Sequence, residues 1–171
     1  AEAARGLART VLTFDPHPRA FFKKDEPPFR LTLEPLKLRR LAALGVEETI
    51  ILPFDAGLAA TSAEEFLDRI VFGALRAQFV TTGADFRFGK GRVGDAAMLA
   101  EAATRHGARY EYVTPVGDAA AGADAPPYSS SSARKALRAG DPVVAARILG
   151  DWHRIEGVVV TGDRRGRDLG F

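Results

Sequence analysis

Short apolar runs alternate with helically spaced stretches along this chain, and that alternation limits the fold more than any other feature. Thr10 to Phe14 reads as a buried strand, stopped by Pro16 and Pro18, which have no N–H to give an interior ladder. Thr49 to Pro53, Gln78 to Thr82 and Tyr110 to Val113 read the same way. Between them, Leu38, Leu41 and Ala42 have helical spacing that ends at Gly45. Ser62 and Glu65 spell a capping box ahead of the stripe Phe66, Leu67, Ile70, Val71 and Ala74, and Ala96 to His106 closes at Gly107. A further helix starts within Ser129 to Ser132, and Asp141 with Pro142 opens another that reaches Leu149. The pattern predicts an α/β fold: a parallel sheet flanked by helices, with a site at the C-terminal ends of its strands.

From Arg154 the pattern turns to strand, with Ile155, Val158, Val159 and Val160, which predicts a domain boundary near residues 151–152. Residues 116–127 are small, polar and proline-ended, as in a surface loop.

Composition narrows the function. With 46% hydrophobic residues in 171, the chain can bury one full core. Its 24 basic and 22 acidic residues are interspersed and leave a net charge of only +2, which argues against a nucleic-acid partner. No apolar run approaches the roughly 20 residues that span a bilayer, so no membrane partner is expected. The absence of cysteine excludes disulfides and thiolate chemistry and fits a cytoplasmic setting, and three scattered histidines do not suggest a metal site.

Four constellations could carry chemistry. In VTTGADFRFGKGRVGD, residues 80–95, Gly83, Gly89, Gly91 and Gly94 permit tight turns, while Arg87, Lys90 and Arg92 could meet phosphate and Phe86 or Phe88 a flat ring. The same composition suits a plain solvated turn. Ser129, Ser130 and Ser131, with Arg134 one turn on, could hold a phosphate at a helix start, or simply cap that helix. Asp15, Pro16, His17 and Pro18 fix a histidine after the first strand, where it could touch a ligand, assist proton transfer or stay solvated. GDRRGRDLGF, residues 162–171, sets arginines between glycines, as in a phosphate grip or an exposed turn.

Taken in order, FDPHP, TGADFRFGKGRVGD, SSSSARKALRAGD and RIEGVVVTGDRRGRDLGF resemble the bacterial bifunctional riboflavin kinase/FMN adenylyltransferases, or FAD synthetases. The resemblance implies a Rossmann-like nucleotidyltransferase domain over residues 1–151, which joins FMN to the AMP of ATP to make FAD and pyrophosphate. Residues 152–171 would begin a β-barrel riboflavin kinase domain with its first strand, and both reactions use Mg2+. The resemblance puts Asp85, Phe86 and Arg87 in a nucleotide-site loop, Ser129, Ser130, Ser131 and Arg134 on the ATP phosphates, and Asp15 to Pro18 beside flavin and nucleotide. Gly162, Gly166, Arg167 and Gly170 match the start of the kinase motif. The family's G-x-F-D-G-x-H-x-G-H motif is absent from these 171 residues, Ser132 stands where an arginine is usual, and the chain stops before the kinase P-T-A-N. No catalytic residue is therefore assigned. The expectation is an internal piece of a longer enzyme, with weak or no turnover, marginal stability and self-association through apolar edges.

Overall fold

The computed structural model describes residues 6–25, 30–83, 85–117, 127–162 and 170. Strand β1 (Thr10–Asp15) runs into a short helix α1 (Pro18–Phe22), and helix α2 (Glu34–Ala43) leads to β2 (Glu48–Pro53). β2 lies parallel to β1, pairing Thr10 with Glu48 through Asp15 with Pro53. The second unit repeats the plan. β3 (Phe79–Gly83), α5 (Ala96–Arg105) and β4 (Arg109–Val113) form another parallel pair, in register from Phe79 with Arg109 to Gly83 with Val113. A parallel pair needs a crossover connection, and α2 and α5 supply it. Among the described residues the strands therefore form two two-stranded parallel sheets, β1–β2 and β3–β4.

Between the two units lie α3 (Ala56–Ala60), the single turn α4 (Ala63–Glu65) and a π-helical segment over Phe66–Ala74. The capping box forms by half. Ser62 Oγ accepts from Glu65 N at 3.1 Å, but the Glu65 carboxylate goes forward to Arg69 one turn on. The winding that follows departs from the expected α-helix. Buried residues recur five apart, Phe66 with Val71 and Leu67 with Phe72, as an i to i+5 helix dictates, and Leu75 N donates to Ile70 O at 2.9 Å. Phe72 thus turns inward and Ala74 outward, contrary to the 3.6-residue spacing. Gly73 suits this winding, because a Cβ there would stand 2.5 Å from the Asp68 carbonyl oxygen.

That segment is the centre of the core. Phe66, Leu67, Val71 and Phe72 pack with Ala63, Phe88, Leu99, Ala102 and Ala103, and Leu12, Phe14, Leu52, Val80 and Tyr110 from all four strands lie against them. One apolar cluster thus joins two sheets that share no hydrogen-bonded ladder, at about 25 cal/mol for each Å2 of apolar surface withdrawn from water.

The C-terminal helices are set by local caps. Ser129 Oγ accepts from Ser132 N to start α6 (Ser130–Arg138), and Asp141 accepts from Val144 N to start α7 (Pro142–Leu149), which ends at the left-handed Gly150. The expected loop is closed at its base by the Gly117–Pro127 bridge and by Tyr128 N on Val116 O at 2.8 Å; its residues 118–126 lie outside the described residues.

The strand expected from Arg154 does not form. Residues 152–162 have no regular structure, and Val158, Val159 and Val160 are 89%, 98% and 79% exposed. β-Branched residues make a strand only where a neighbouring ladder takes their backbone groups, and no described segment does so.

Candidate functional site

The C-terminal end of β1 shows the densest gathering of charge around a titratable group. Pro18 opens α1, and His17 caps it: His17 Nδ1 accepts from Arg19 N at 3.1 Å. A ring that accepts through Nδ1 carries its proton on Nε2, so this imidazole is neutral with one N–H to donate. Burial holds the His17 pKa below its ordinary value, and Arg134, Arg30, Arg19 and Lys37 lower it further by charge. Those cations come from three helices and a loop. Lys37 of α2 also donates to Thr13 Oγ1 at 3.2 Å, and Arg30 pairs with Asp15 at 2.7 Å. This cradle of cations gives the end of β1 a positive local potential, with the Asp15 carboxylate beside Arg30 as a counter-charge.

Helix α6 delivers Arg134 to this cradle. Ser129 Oγ is engaged as the cap and with Ser132 Oγ at 2.9 Å, while Ser130 and Ser131 are exposed in the first turn, where backbone N–H groups lack helical partners. Charge from Arg134 in SSSSAR thus acts on His17 in FDPHP, two motifs distant in sequence.

The glycine-rich loop is built differently. Phe88 and Gly94 close it as a small antiparallel bridge, with Gly94 N on Phe88 O at 3.0 Å and Phe88 N on Gly94 O at 3.2 Å. Its tip, Lys90–Arg92, is one turn of 3-10 helix. Gly89, at φ +73°, presses so closely on Ala63 that a Cβ would meet that backbone at 2.6 Å, and Lys90 N donates to Thr61 O at 2.8 Å. Phe88 is core rather than ligand surface, and Phe86 stacks on it with ring centroids 5.5 Å apart, half-exposed. Arg87 pairs with Asp95, the cap of α5, at 3.4 Å, and Asp85 is exposed beside Gly83.

A run of rings connects the two regions. Phe14 meets Phe54 and Phe66, Phe66 meets Phe88, and Phe88 meets Phe86, at centroid separations from 5.5 to 6.4 Å. The cradle and the loop therefore rest on one aromatic floor.

Of the kinase-motif residues, Gly162 and Gly170 are exposed, and Gly166 and Arg167 lie outside the described residues. Sequence reasoning missed Arg19, Arg30 and Lys37, since isolated cations in a helix or loop carry no local signal of convergence. Among the described residues no group of three or more His, Asp or Glu could hold a metal ion, and no helix is long and apolar enough to cross a membrane.

The family model described as FAD synthetase matches residues 1–123. The bifunctional riboflavin kinase/FMN adenylyltransferase of Escherichia coli (strain K12) is 36% identical over 167 residues, which are 98% of this chain and 52% of that protein. Its namesake in Bacillus subtilis (strain 168) is 32% identical over 170 residues, 98% of this chain and 51% of that one. The chain spans about half the length of the curated relatives it matches. A solved structure named as a macrolide-efflux protein from Streptococcus pneumoniae superposes with a TM-score of 0.78 at 28% identity, over 99% of this chain and 54% of that one.

Proposed function

Because the chain belongs to the FAD synthetase family, we propose that it serves FMN adenylyltransfer, supplying the binding part of a site that converts ATP and FMN to FAD and pyrophosphate. In that reaction an FMN phosphate oxygen bonds to the α-phosphorus of ATP, the bond to the bridging oxygen breaks, and its electron pair leaves with pyrophosphate. Rate depends on holding the phosphates in line and balancing their charge. The observation that carries the reading is the set of contacts at the end of β1, Arg30 on Asp15, Lys37 on Thr13 and the Arg19 backbone on His17, with Arg134 adding its charge to theirs at His17. These cations would take the phosphates, with Ser129, Ser130 and Ser131 at the α6 N-terminus, while His17 Nε2–H donates to a phosphate oxygen. Asp15, Pro16 and Pro18 would frame that contact, and Phe86, with Asp85 and Arg87, would border a flat ring.

Magnesium would enter on the nucleotide's phosphates, as part of the substrate, since no carboxylate cluster among the described residues awaits it. Residues 1–151 would form the adenylyltransferase domain and 152–171 the start of a riboflavin kinase domain, with Gly162, Gly166, Arg167 and Gly170 in its first motif. A cytoplasmic setting suits these small-molecule substrates. The mixed surface charge disfavours nucleic acid, and the exposed Val158, Val159 and Val160 favour self-association.

The test is incubation with FMN, ATP and magnesium, with FAD followed by chromatography against a full-length relative. FAD formation supports a complete site. Quenching of FMN fluorescence without FAD leaves a flavin-binding unit without turnover. If neither FAD nor quenching appears, the proposal is refuted.

A further inference from the structure

Residues 151–156 lie along α2 without regular structure, held by polar contacts that no local pattern announces. Asp151 Oδ2 accepts from Arg40 of α2 at 3.1 Å and from Arg154 at 3.1 Å. Trp152 O accepts from Arg40 at 3.4 Å, and Glu156 pairs with Arg39. His153 Nε2 sits 3.0 Å from the Leu31 carbonyl oxygen, which it can meet only as a donor.

Each of these anchors lies next to a cation of the cradle. Leu31, gripped by His153, follows Arg30, the partner of Asp15 and a charge on His17. Arg40, gripped by Asp151, sits three residues, or about one helical turn, after Lys37, the donor to Thr13 and another charge on His17. Leu31, at one grip, and Leu36, between the two, are buried, which packs the stretch that links them.

We propose that Asp151–Glu156 is a positioning strap for the anion cradle: by holding α2 and Leu31, it keeps Lys37 and Arg30 at the end of β1 and so sets the affinity for phosphate. The strap touches no anion. It also places the chain that follows, from Gly157 on, where movement of that chain would be felt at the cradle.

The inference rests on the phosphate-binding reading, and the test separates the two. Inorganic pyrophosphate is titrated calorimetrically into the whole chain and into Asp151→Ala, His153→Gln, Arg154→Gln, Asp151→Glu and Arg134→Gln variants, well below their unfolding temperatures. Asp151→Ala and His153→Gln should each bind about fivefold more weakly. Asp151→Glu should recover most of the affinity, and Arg154→Gln, which leaves the α2 contacts in place, should bind as the parent does. Faster amide exchange over Lys37 to Leu41 in Asp151→Ala, at unchanged exchange in β3, should accompany the loss. If Asp151→Ala binds normally while Arg134→Gln does not, the strap is refuted and the cradle stands. A loss of thermal stability without a loss of affinity likewise refutes it and leaves a structural tether. If Arg134→Gln also binds normally, the cradle is misassigned and the proposal falls with it.

Discussion

The ends of β1 and β3 face comparable tasks and solve them by different physics. After β1, ring contacts of Phe21 and Phe22 with Phe54 are joined by charges and hydrogen bonds at the strand end itself: Arg30 on Asp15, Lys37 on Thr13, and the Arg19 backbone on His17. After β3, the chain is held by packing: Phe88 in the core, Gly89 against the Ala63 backbone, and Phe86 on Phe88. Apolar packing is insensitive to salt and costs much to disturb. Partly exposed charges are cheap to rearrange and answer to ions and ligands. The contrast sets a packed loop against a strand end whose charges can rearrange.

The sharpest break in this comparison should come from the packed end. Phe88→Ala should cost about 3–5 kcal/mol in urea unfolding, because it removes a ring at the centre of the Phe66–Phe86 contacts. Gly89→Ala should cost about 1–3 kcal/mol by the same measurement, from a left-handed backbone and a Cβ pressed on Ala63. If either change is neutral, packing does not position the loop.

Changes at the charged end should leave folding nearly intact and move binding instead. Arg134→Gln should weaken pyrophosphate about tenfold at low salt, and the gap should narrow when salt is raised to about 0.5 M. An equal loss at both ionic strengths would mean that Arg134 acts through packing.

The smallest effects concern pH. His17 is held below its ordinary value by burial and four cations, so the unfolded chain binds its proton more readily than the folded one. Its contribution to stability is complete above about pH 6.5 and falls away as pH drops through that value toward the lowered folded one. His17→Gln should flatten the stability profile in that window. Asp68 works in a lower range: hydrogen bonding from His106 lowers its pKa most, burial opposes this, and hydrogen bonding and charge from Arg105 lower it further. Asp68→Asn should reduce stability at neutral pH, and the difference should vanish as pH falls through the lowered carboxyl value. A difference that persisted in acid would assign Asp68 a role other than charge.

Much of the fold was legible because its signals are local. Ser62, Asp95, Ser129 and Asp141 each cap the backbone N–H three residues on, and each cap is visible as a residue type before an apolar stripe. The FAD synthetase motifs were legible for the same reason, as runs of fixed spacing. Two readings gave way where a local pattern met a nonlocal demand. The stripe from Phe66 fits a 3.6-residue helix, but the core took residues five apart. The valines from Val158 have strand propensity without a ladder to join.

Sequence by itself determined the order of elements, their caps and the family, since these depend on neighbours within a turn or on motifs read in line. Only the tertiary structure decided which charges meet. The charge of Arg134 in α6 acts on His17, Asp151 finds Arg40 across 111 residues, and His153 finds Leu31 across 122. Such meetings depend on how helices pack over a shared core, and electrostatic energy follows distance in space rather than along the chain.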